Sequence, residues 1–358
     1  MDAVAAAVFR PTEPCPEAAP SGKMSVPLIR HPHSGTVNRL FLALTAVAAL
    51  VAAIPAPAQD YPTKPVRVIV PFAPGGTADT LGRLTAQKLS EYMGQQFVIE
   101  NRGGAGGVIG SEIVAKAEPD GYMLVVSGVA SHCIQPALSK NVPFDPIKDF
   151  THIALFGGPP GVLAVNPGLH AKTLKEFIAL AKSEPDKLAY GSPGNGTQGH
   201  LIAEQLKQVT GIRMTHVPYK GASLAVADLI AGHLQIVSTT LTTASTQIRA
   251  GKARALAVSS TARVPDFPDV PTFKELGYPE LTATIWFSLS GPAGMPRDIV
   301  NKLNADVRRA LKEPDVLQRL KPEGIEPGDL DPQQFTAYLA SEVKRWAPIV
   351  KASGARAD

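Results

Sequence analysis

The sequence predicts an α/β protein whose sheets are mostly parallel and covered by helices on both faces. Two observations support this fold class. β-rich apolar runs such as "VRVIVPF" (66–72) and "YMLVVSG" (122–128) alternate with segments of helical periodicity. Glycine-rich turns follow several of these runs, at the points where a strand would pass into a helix. Such alternation is typical of parallel strands that are joined by helical crossovers.

In the amino-terminal half, the strand at 66–72 leads into the predicted helix "TADTLGRLTAQKLSEYM". Its leucines at 81, 84 and 89 lie close to one helical face, which we expect to be buried. The next pair is "QFVIEN" (96–101), a glycine cluster and "GSEIVAKAEPDG". Further on, Thr173 and Glu176 have the T-x-x-E spacing of a capping box, which predicts a helix start.

The carboxyl-terminal part is predicted to be mainly helical. Ile299, Leu303 and Val307 fall on one face of "PRDIVNKLNADVRRALKEP". In the last helix, Asp331 is the expected N-cap and Pro332 the first helical residue.

The first 58 residues have the pattern of a leader that is removed. The apolar run 40–54 follows basic residues and precedes Ala-Pro-Ala at 56–58, a small-x-small cleavage pattern. This run is shorter than the ~20 residues that a membrane-spanning helix needs. We therefore expect export and cleavage near residue 58, with translation starting at Met1 or Met24. A retained membrane anchor is the alternative.

Charge and cysteine content exclude several classes of function. The net charge of +4 is small, and Lys and Arg form no dense cluster that would suggest nucleic-acid binding. Cys133 is the only cysteine after the leader, so we expect no internal disulfide and a small buried side chain. The histidines have no metal-ligand spacing. We expect no metal, no cofactor and a monomeric protein.

Two extended apolar runs, 154–167 and 282–296, flank a middle α/β block and are suited to cross between two lobes. This places residues 59–157 and 286–358 in lobe I and residues 158–285 in lobe II. An uninterrupted single domain is the alternative.

Three glycine-rich turns stand at predicted helix amino termini: Gly75-Gly76, the cluster at 103–107, and Gly194, Gly196 and Gly199. Unpaired N–H groups and the helix dipole make such a terminus favourable for a carboxylate or phosphate. Glycine also lets the backbone approach a ligand closely. The turns therefore predict an anion site, although purely structural tight turns would give the same pattern.

The G-x-G-x-x-G at 194–199 also matches a dinucleotide-binding turn. That function requires an acidic residue at the end of the next strand, but "RMTHVPYKG" ends without one. Ser192 in "YGSPG" does not have the spacing of a nucleophile elbow. Nucleotide binding is therefore disfavoured, while an exported α/β enzyme that uses Ser192 or His200 on a small carboxylate or ester stays open.

From about Tyr61 to its end, the chain resembles the tripartite tricarboxylate transporter substrate-binding proteins, or Bug-type receptors. The matching stretches include "VIVPFAPGGTADTLGR", "VIENRGGAGGVIGSEIVAKAEPDGY", "KLAYGSPGNGTQGHL", "VPYKGASLAVADLIAGHLQI" and "WFSLSGPAGMP". The resemblance implies a two-lobed periplasmic binding protein of type II, the Venus-flytrap fold, without catalytic activity. It also implies capture of a small organic anion and its delivery to membrane permease subunits of a tripartite transporter.

The resemblance places the ligand among loops at helix starts, in four groups of residues. The first loop is Phe72, Ala73, Pro74, Gly75, Gly76, Thr77 and Asp79; the opposing loop is Ser192, Gly194, Asn195, Gly196 and Thr197, with His200 behind it; Pro218, Tyr219 and Lys220 form a wall that ends at Gly221; and Thr239 and Thr240 supply hydroxyls. Asp79 would repel an anion, so we expect it to cap its own helix.

The chain departs from the family pattern after "LIAGHLQ". Family members have acidic residues there, whereas this chain reads Gln-Ile-Val-Ser-Thr-Thr at 235–240. A hydroxyl-rich segment thus replaces a carboxylate that could bind an amino group. Recognition of an amino-group ligand is accordingly put in doubt.

Overall fold

The computed structural model describes residues 61–355. The predicted leader at 1–58 lies outside the described residues, and residues 61–355 belong to one compact unit. The strands of the described part are β1 (Val66–Val70), β2 (Phe97–Asn101), β3 (Met123–Gly128), β4 (Phe150–Gly157), β5 (Gly161–Val165), β6 (Ala189–Ser192), β7 (Thr215–Pro218), β8 (Ile236–Thr240), β9 (Arg254–Val258) and β10 (Phe287–Pro292).

The strands form two five-stranded sheets with the same layout. The first has the order β2-β1-β3-β10-β4 and the second the order β7-β6-β8-β5-β9. In the first sheet β1 is parallel to β2 and β3, and β10 is antiparallel to β3 and β4. In the second, β6 is parallel to β7 and β8, and β5 is antiparallel to β8 and β9. The predicted α/β class with mostly parallel sheets is confirmed.

Each antiparallel strand directly follows a crossing between the sheets. The first crossing is residues 158–160 and the second is residues 259–286. They run side by side, because Pro160 and Thr284 form an antiparallel bridge. The lobe boundaries predicted near 157/158 and 285/286 remain a proposal, which this distribution of strands supports.

The helices are α1 (Thr77–Met93), α2 (Val108–Ala115), α3 (Gln135–Leu138), α4 (Leu174–Ser183), α5 (Gln198–Thr210), α6 (Ala222–Ala231), α7 (Leu241–Arg249), α8 (Arg297–Lys312), α9 (Pro314–Leu320) and α10 (Pro332–Ala352). A π-helical turn at Ala130–Ile134 precedes α3. None of the helices within 61–355 is both long and apolar enough to cross a membrane. The apolar run 40–54 lies outside this range.

The predicted helix starts are present with one change in detail. At α10, Oδ1 of Asp331 accepts the N–H of Gln334 at 2.8 Å, and Oε1 of Gln334 accepts the N–H of Asp331 at 3.0 Å. At α4, Oγ1 of Thr173 accepts the N–H of Glu176 at 3.2 Å. The carboxylate of Glu176, however, accepts the N–H of Lys172 rather than that of Thr173.

The cores lie where the apolar periodicity predicts them. Leu81, Leu84 and Leu89 of α1 are buried against the first sheet, together with Leu303 and Val307 of α8. The second sheet is covered by separate clusters on its two faces. Cys133 is fully buried, as predicted, and burial raises the pKa of its thiol.

Candidate ligand-binding site

A cavity of about 50 Å³ lies between the two sheets. Its wall combines the starts of several helices with the carboxyl ends of β3 and β8 and the entry to β10. The lining residues are Phe72, Gly76, Thr77, Ala78, Gly128, Val129, Ala130, Ser131, Pro193, Thr197, Gln198, Gly199, Ala222, Thr239, Thr240, Ile285 and Phe287. Both lobes therefore contribute residues to one site.

Four helices of eight or more residues begin at this cavity. Thr77 starts α1, Gln198 starts α5, Ala222 starts α6, and Thr240 is the N-cap of α7. Each amino terminus carries roughly half a positive charge and leaves N–H groups without partners inside the helix. None of the lining residues within the described range has a charged side chain. An anion here would be stabilised by backbone dipoles.

Two polar side chains on the wall are buried without a hydrogen-bond partner within the described residues. They are Gln198, through its Nε2, and Thr239, through its Oγ1. Gln198 is 5% exposed and Thr239 is 1% exposed. A buried polar atom without a partner is uncommon and costs stability.

Asp79 fixes the shape of the first loop. Its Oδ2 accepts the N–H of Gly75 at 3.0 Å and Nε of Arg83 at 2.9 Å, and its Oδ1 accepts Nδ2 of Asn101 at 2.9 Å. Burial raises the pKa of Asp79, but these hydrogen bonds outweigh burial and hold the pKa below its usual value. The N-cap of α1 is Gly76, so the expectation that Asp79 caps the helix was wrong in position. Asp79 is the third helical residue and binds the loop before it.

The second loop is held mainly by its own contacts. Oγ1 of Thr197 donates to the carbonyl of Gly194 at 2.7 Å, and the N–H of Gly196 donates to Nδ1 of His200 at 3.1 Å. Of the predicted residues in this loop, only Thr197 lines the cavity; Ser192, Gly194, Asn195 and Gly196 do not. They shape the turn that presents the start of α5.

Ser192 and His200 both contact His216, the central ring in a stack of three. Oγ of Ser192 lies 2.7 Å from Nε2 of His216. The ring of His216 lies between those of Tyr190 and His200, at centroid distances of 4.8 Å and 4.1 Å. Burial, followed by the charges of His200 and Lys207, lowers the pKa of His216 to about 3. Such a histidine is a poor general base near neutral pH, and Ser192 is fully buried outside the cavity.

None of the residues of the predicted wall at 218–220 lines the cavity. The side chains of Pro218 and Lys220 are exposed. The hydroxyl of Tyr219 donates to Oδ2 of Asp228 at 2.5 Å, and burial followed by this bond raises the pKa of Tyr219 to about 12. Lys220 contributes only its carbonyl, which accepts the N–H of Ala73 at 2.9 Å.

The two lobes are in direct contact around the cavity. Oγ of Ser223 donates to the carbonyl of Pro74 at 2.7 Å, and the hydroxyls of Thr77 and Thr240 are 2.8 Å apart. Nε2 of Gln135 donates to the carbonyl of Asn195 at 2.5 Å. Gly106 fits beneath this bond, where an added Cβ would come within 1.9 Å of Nε2 of Gln135. The structure is therefore a closed form.

Residues that the sequence did not predict complete the wall. They are Gly128, Val129, Ala130, Ser131, Gln198, Ala222, Ile285 and Phe287, which join Ala78, Pro193 and Gly199 of the predicted loops and turns. One signal could have identified the segment after β3: in open α/β sheets, ligands bind beyond the carboxyl ends of parallel strands. Gln198 follows the predicted Thr197 by one position, and nothing in the sequence distinguishes it. No group of three or more metal-ligating side chains occurs within 61–355.

The family of the chain follows from sequence and structure together. The model of the tripartite tricarboxylate transporter family receptor matches residues 81–355. Protein BugT of Bordetella pertussis is 36% identical over 318 residues, which cover 88% of this chain and 96% of BugT. The chain belongs to the tripartite tricarboxylate transporter receptor family. The predicted Bug-type resemblance is confirmed, and the family is one of solute receptors for transport.

Two solved structures share this receptor fold. A periplasmic transporter is 41% identical and superimposes with a TM-score of 0.81, covering 83% of this chain and all of the other. Rpa4515 of R. palustris, solved with adipate, is 35% identical with a TM-score of 0.80, covering 83% of this chain and 99% of the other. The predicted two-lobed type II fold is thus confirmed.

Proposed function

We propose that this receptor binds a small carboxylate in the cavity between its lobes, in the periplasm, and delivers it to the permease subunits of a tripartite transporter. The observation that carries the proposal is the convergence of four helix amino termini on a cavity without charged side chains. This arrangement suits an anion that accepts several hydrogen bonds from N–H groups. A relative of the same fold was solved with adipate.

Closure and binding are coupled in this proposal. α1 belongs to the first sheet's lobe, whereas α5, α6 and α7 belong to the second. A ligand that bridges these helix starts interacts fully only when the lobes meet, so it shifts the population towards the closed form. The hydrogen bonds from Ser223 to Pro74 and from Gln135 to Asn195 also stabilise the closed form.

The predicted site residues divide into two roles under this proposal. Phe72, Gly76, Thr77, Thr197, Thr239 and Thr240 face the ligand, since they line the cavity. The remaining predicted residues position them: Asp79 and Gly75 shape the first loop, and Ala73, Pro74, Asn195 and Lys220 join the lobes. His200 supports the second loop through Gly196.

Calorimetry and thermal shift with adipate, succinate, citrate and benzoate test the function. Stabilisation should follow RT ln(1 + [L]/Kd) as ligand concentration rises, and a neutral control, adipamide, should give no shift. The ligand recovered after incubation should be chemically unchanged, as a receptor and not an enzyme requires. If neither these four acids nor a wider panel of small carboxylates binds, the proposal fails.

A pair of variants at one position tests the cavity. A Cβ at Gly76 would meet only the carbonyl of Ala73, at 3.9 Å, so Gly76→Ala should fold and bind. Gly76→Leu should fold but fill the cavity, which would abolish binding. Equal affinity of both variants would place the ligand elsewhere.

A further inference from the structure

The carboxylate of Glu342, on α10, binds three side chains at once. Nε1 of Trp286 and Nε1 of Trp346 both donate to its Oε2, at 2.9 Å and 3.1 Å. Nε and Nη2 of Arg345 donate to Oε1 and Oε2, at 2.6 Å and 2.7 Å. Burial raises the pKa of Glu342, but these hydrogen bonds outweigh burial and hold the pKa below its usual value. Glu342 is therefore a buried carboxylate whose partners are fixed by charge-assisted hydrogen bonds.

Trp286 stands between residues of the ligand cavity. It is the last residue of the second crossing, immediately before β10, and its neighbours Ile285 and Phe287 both line the cavity. Its carbonyl accepts the N–H of Val129, another residue of the wall, at 3.3 Å. Because the backbone is continuous here, a displacement of Trp286 would move the wall at all three residues.

The backbone at Trp286 is also in close contact with the first crossing. A Cβ added to Gly158 would collide with the carbonyl of Ile285 and lie 2.9 Å from Cα of Trp286. At the end of β3, a Cβ added to Gly128 would lie 2.9 Å from the carbonyl of Trp286. Since the chain passes between the two sheets in these crossings, a hinge motion of the lobes has to be taken up there. Trp286 therefore lies at the pivot of such a motion.

We propose that Glu342 is a positioning residue of the receptor, which holds the indole of Trp286 and thereby fixes the cavity wall and the pivot of closure. This inference rests on the proposed function. α10 packs against β4 and the π-helical turn Ala130–Ile134, so Glu342 anchors Trp286 to the first sheet's lobe. A wall that is ordered before the ligand arrives binds more tightly, since ordering of loops and side chains on association lowers affinity.

Three variants separate the hydrogen bonds to the indoles from the ion pair. Glu342→Gln keeps an oxygen that accepts both indole N–H groups, and the side chain of Arg345, which is 42% exposed, can turn to solvent. Glu342→Met has a similar size but leaves both indole N–H groups without an acceptor. Arg345→Met breaks the ion pair and leaves the indoles bound.

Calorimetry with the tightest-binding acid of the carboxylate panel compares these variants. Affinity should fall about tenfold in Glu342→Met and change by less than about twofold in Glu342→Gln and Arg345→Met. Unchanged affinity in Glu342→Met would overturn the inference. An equal loss in all three variants would also overturn it, because the cluster would then act only through general stability.

A matched pair of tryptophan variants tests the same point without changing Glu342. Trp286→Phe and Trp346→Phe each remove one indole N–H from Oε2, and both tryptophans are buried in the same apolar cluster. Urea unfolding should show similar losses of stability for the two. Only Trp286→Phe should weaken ligand binding, by about tenfold, because only Trp286 adjoins the cavity wall. Equal affinities of the two variants would contradict a positioning role.

Tryptophan fluorescence tests the anchoring of Trp286 without any ligand. Trp286 and Trp346 are the two tryptophans of the chain, so in Trp346→Phe the tryptophan emission comes from Trp286 alone. In this background acrylamide should quench the emission weakly with Glu342 or Glu342→Gln, and more strongly with Glu342→Met. Equal quenching in all three would show that Glu342 does not hold Trp286, and the inference would fail while the receptor function stands. If no carboxylate binds the unchanged protein, the proposed function fails and the inference fails with it.

Discussion

The ring of His216 stacks on the ring of His200, with centroids 4.1 Å apart and planes inclined by 6°. On its other face His216 stacks on Tyr190, and its Nε2 is 2.7 Å from Oγ of Ser192. Partial burial between these rings disfavours the charged form of the imidazole and lowers its pKa. The second loop thus packs against a histidine whose neutral form is favoured near neutral pH.

Buried neutral histidines predict that the protein loses stability in mild acid. Burial, followed by the charge of His152, lowers the pKa of His132 well below its usual value, and burial lowers that of His152 to about 4. For these groups and His216, the unfolded state takes up protons first, from about pH 6.5 downwards. The free energy of unfolding should therefore fall by up to about 1.4 kcal/mol per pH unit for each histidine between pH 6 and 4.5. Urea unfolding across this range measures the slope.

Single substitutions show which histidines cause this pH dependence of the free energy of unfolding. His216→Gln should reduce the slope of unfolding free energy against pH by the contribution of about one proton. His233→Gln is the control, because His233 is exposed and pairs only with Asp228 at 3.5 Å. A free energy that stays constant down to pH 4.5 would contradict the neutral, buried state of these histidines.

We expect Asp79→Ala to weaken both the fold and ligand binding. It removes the acceptor for Gly75, Arg83 and Asn101, whose bonds define the first loop. A hydrogen bond to a buried charge contributes about 1.5–3 kcal/mol, so urea unfolding should show a loss of this size. Calorimetry should show a parallel loss of affinity, because the start of α1 is no longer held.

The matched control for Asp79 is Asp315→Ala. Asp315 pairs with Lys88 at 2.9 Å, but its side chain is 54% exposed, against 6% for Asp79. Solvent and salt screen an exposed ion pair, so its contribution to stability is small. Equal effects of the two substitutions would refute a special role of Asp79.

Gly106→Ala should prevent full closure of the lobes. Its Cβ would collide with Nε2 of Gln135 and, at 2.5 Å, with the carbonyl of Asn195 across the cleft. Small-angle scattering in the presence of ligand should show a larger radius of gyration than for the unchanged protein. Gly94→Ala is the control, since Gly94 has a similar φ of 69° against 60° for Gly106 but no atom within 4 Å of the added Cβ. Equal compaction of the two variants would count against closure at Gly106.

Binding should depend little on salt and not at all on the side chain of Lys220. The described cavity wall has no charged side chain, and a buried anion held by backbone dipoles is weakly screened. Calorimetry between 20 and 300 mM salt should show less than about a threefold change in affinity. Lys220→Ala should bind normally, because Lys220 uses only its carbonyl. A strong loss of ligand affinity, either at high salt or in Lys220→Ala, would show that a cationic side chain holds the ligand.

Sequence predicted the fold to the extent that local patterns determine it. The leucines of α1 and the cap at Asp331 mark their helices, and both are found where expected. The antiparallel placement of β5 and β10 was not predicted, because strand order depends on contacts between segments far apart in the chain. Hydrophobic periodicity does not predict that β10 pairs with both β3 and β4.

For the candidate site, sequence identified loops better than side chains. The family resemblance placed Thr77 and Thr197 at the ligand, beside glycine-rich turns, and both line the cavity. Tyr219 lies in such a turn, but its hydroxyl is bound to Asp228 and faces the rim. Val129 and Phe287 approach the cavity only because β3 and β10 are neighbours, which a single sequence does not reveal.

The position of β10 also determines the order in which the chain can acquire its structure. In the first sheet β4 is hydrogen-bonded to β10 alone, and β10 separates it from β3. That sheet therefore cannot be completed until residues 287–292 have been synthesised, whereas the strands of the second sheet all lie within 161–258. In a nascent or threading chain the second sheet could be complete while the first stays incomplete until residue 292 has emerged.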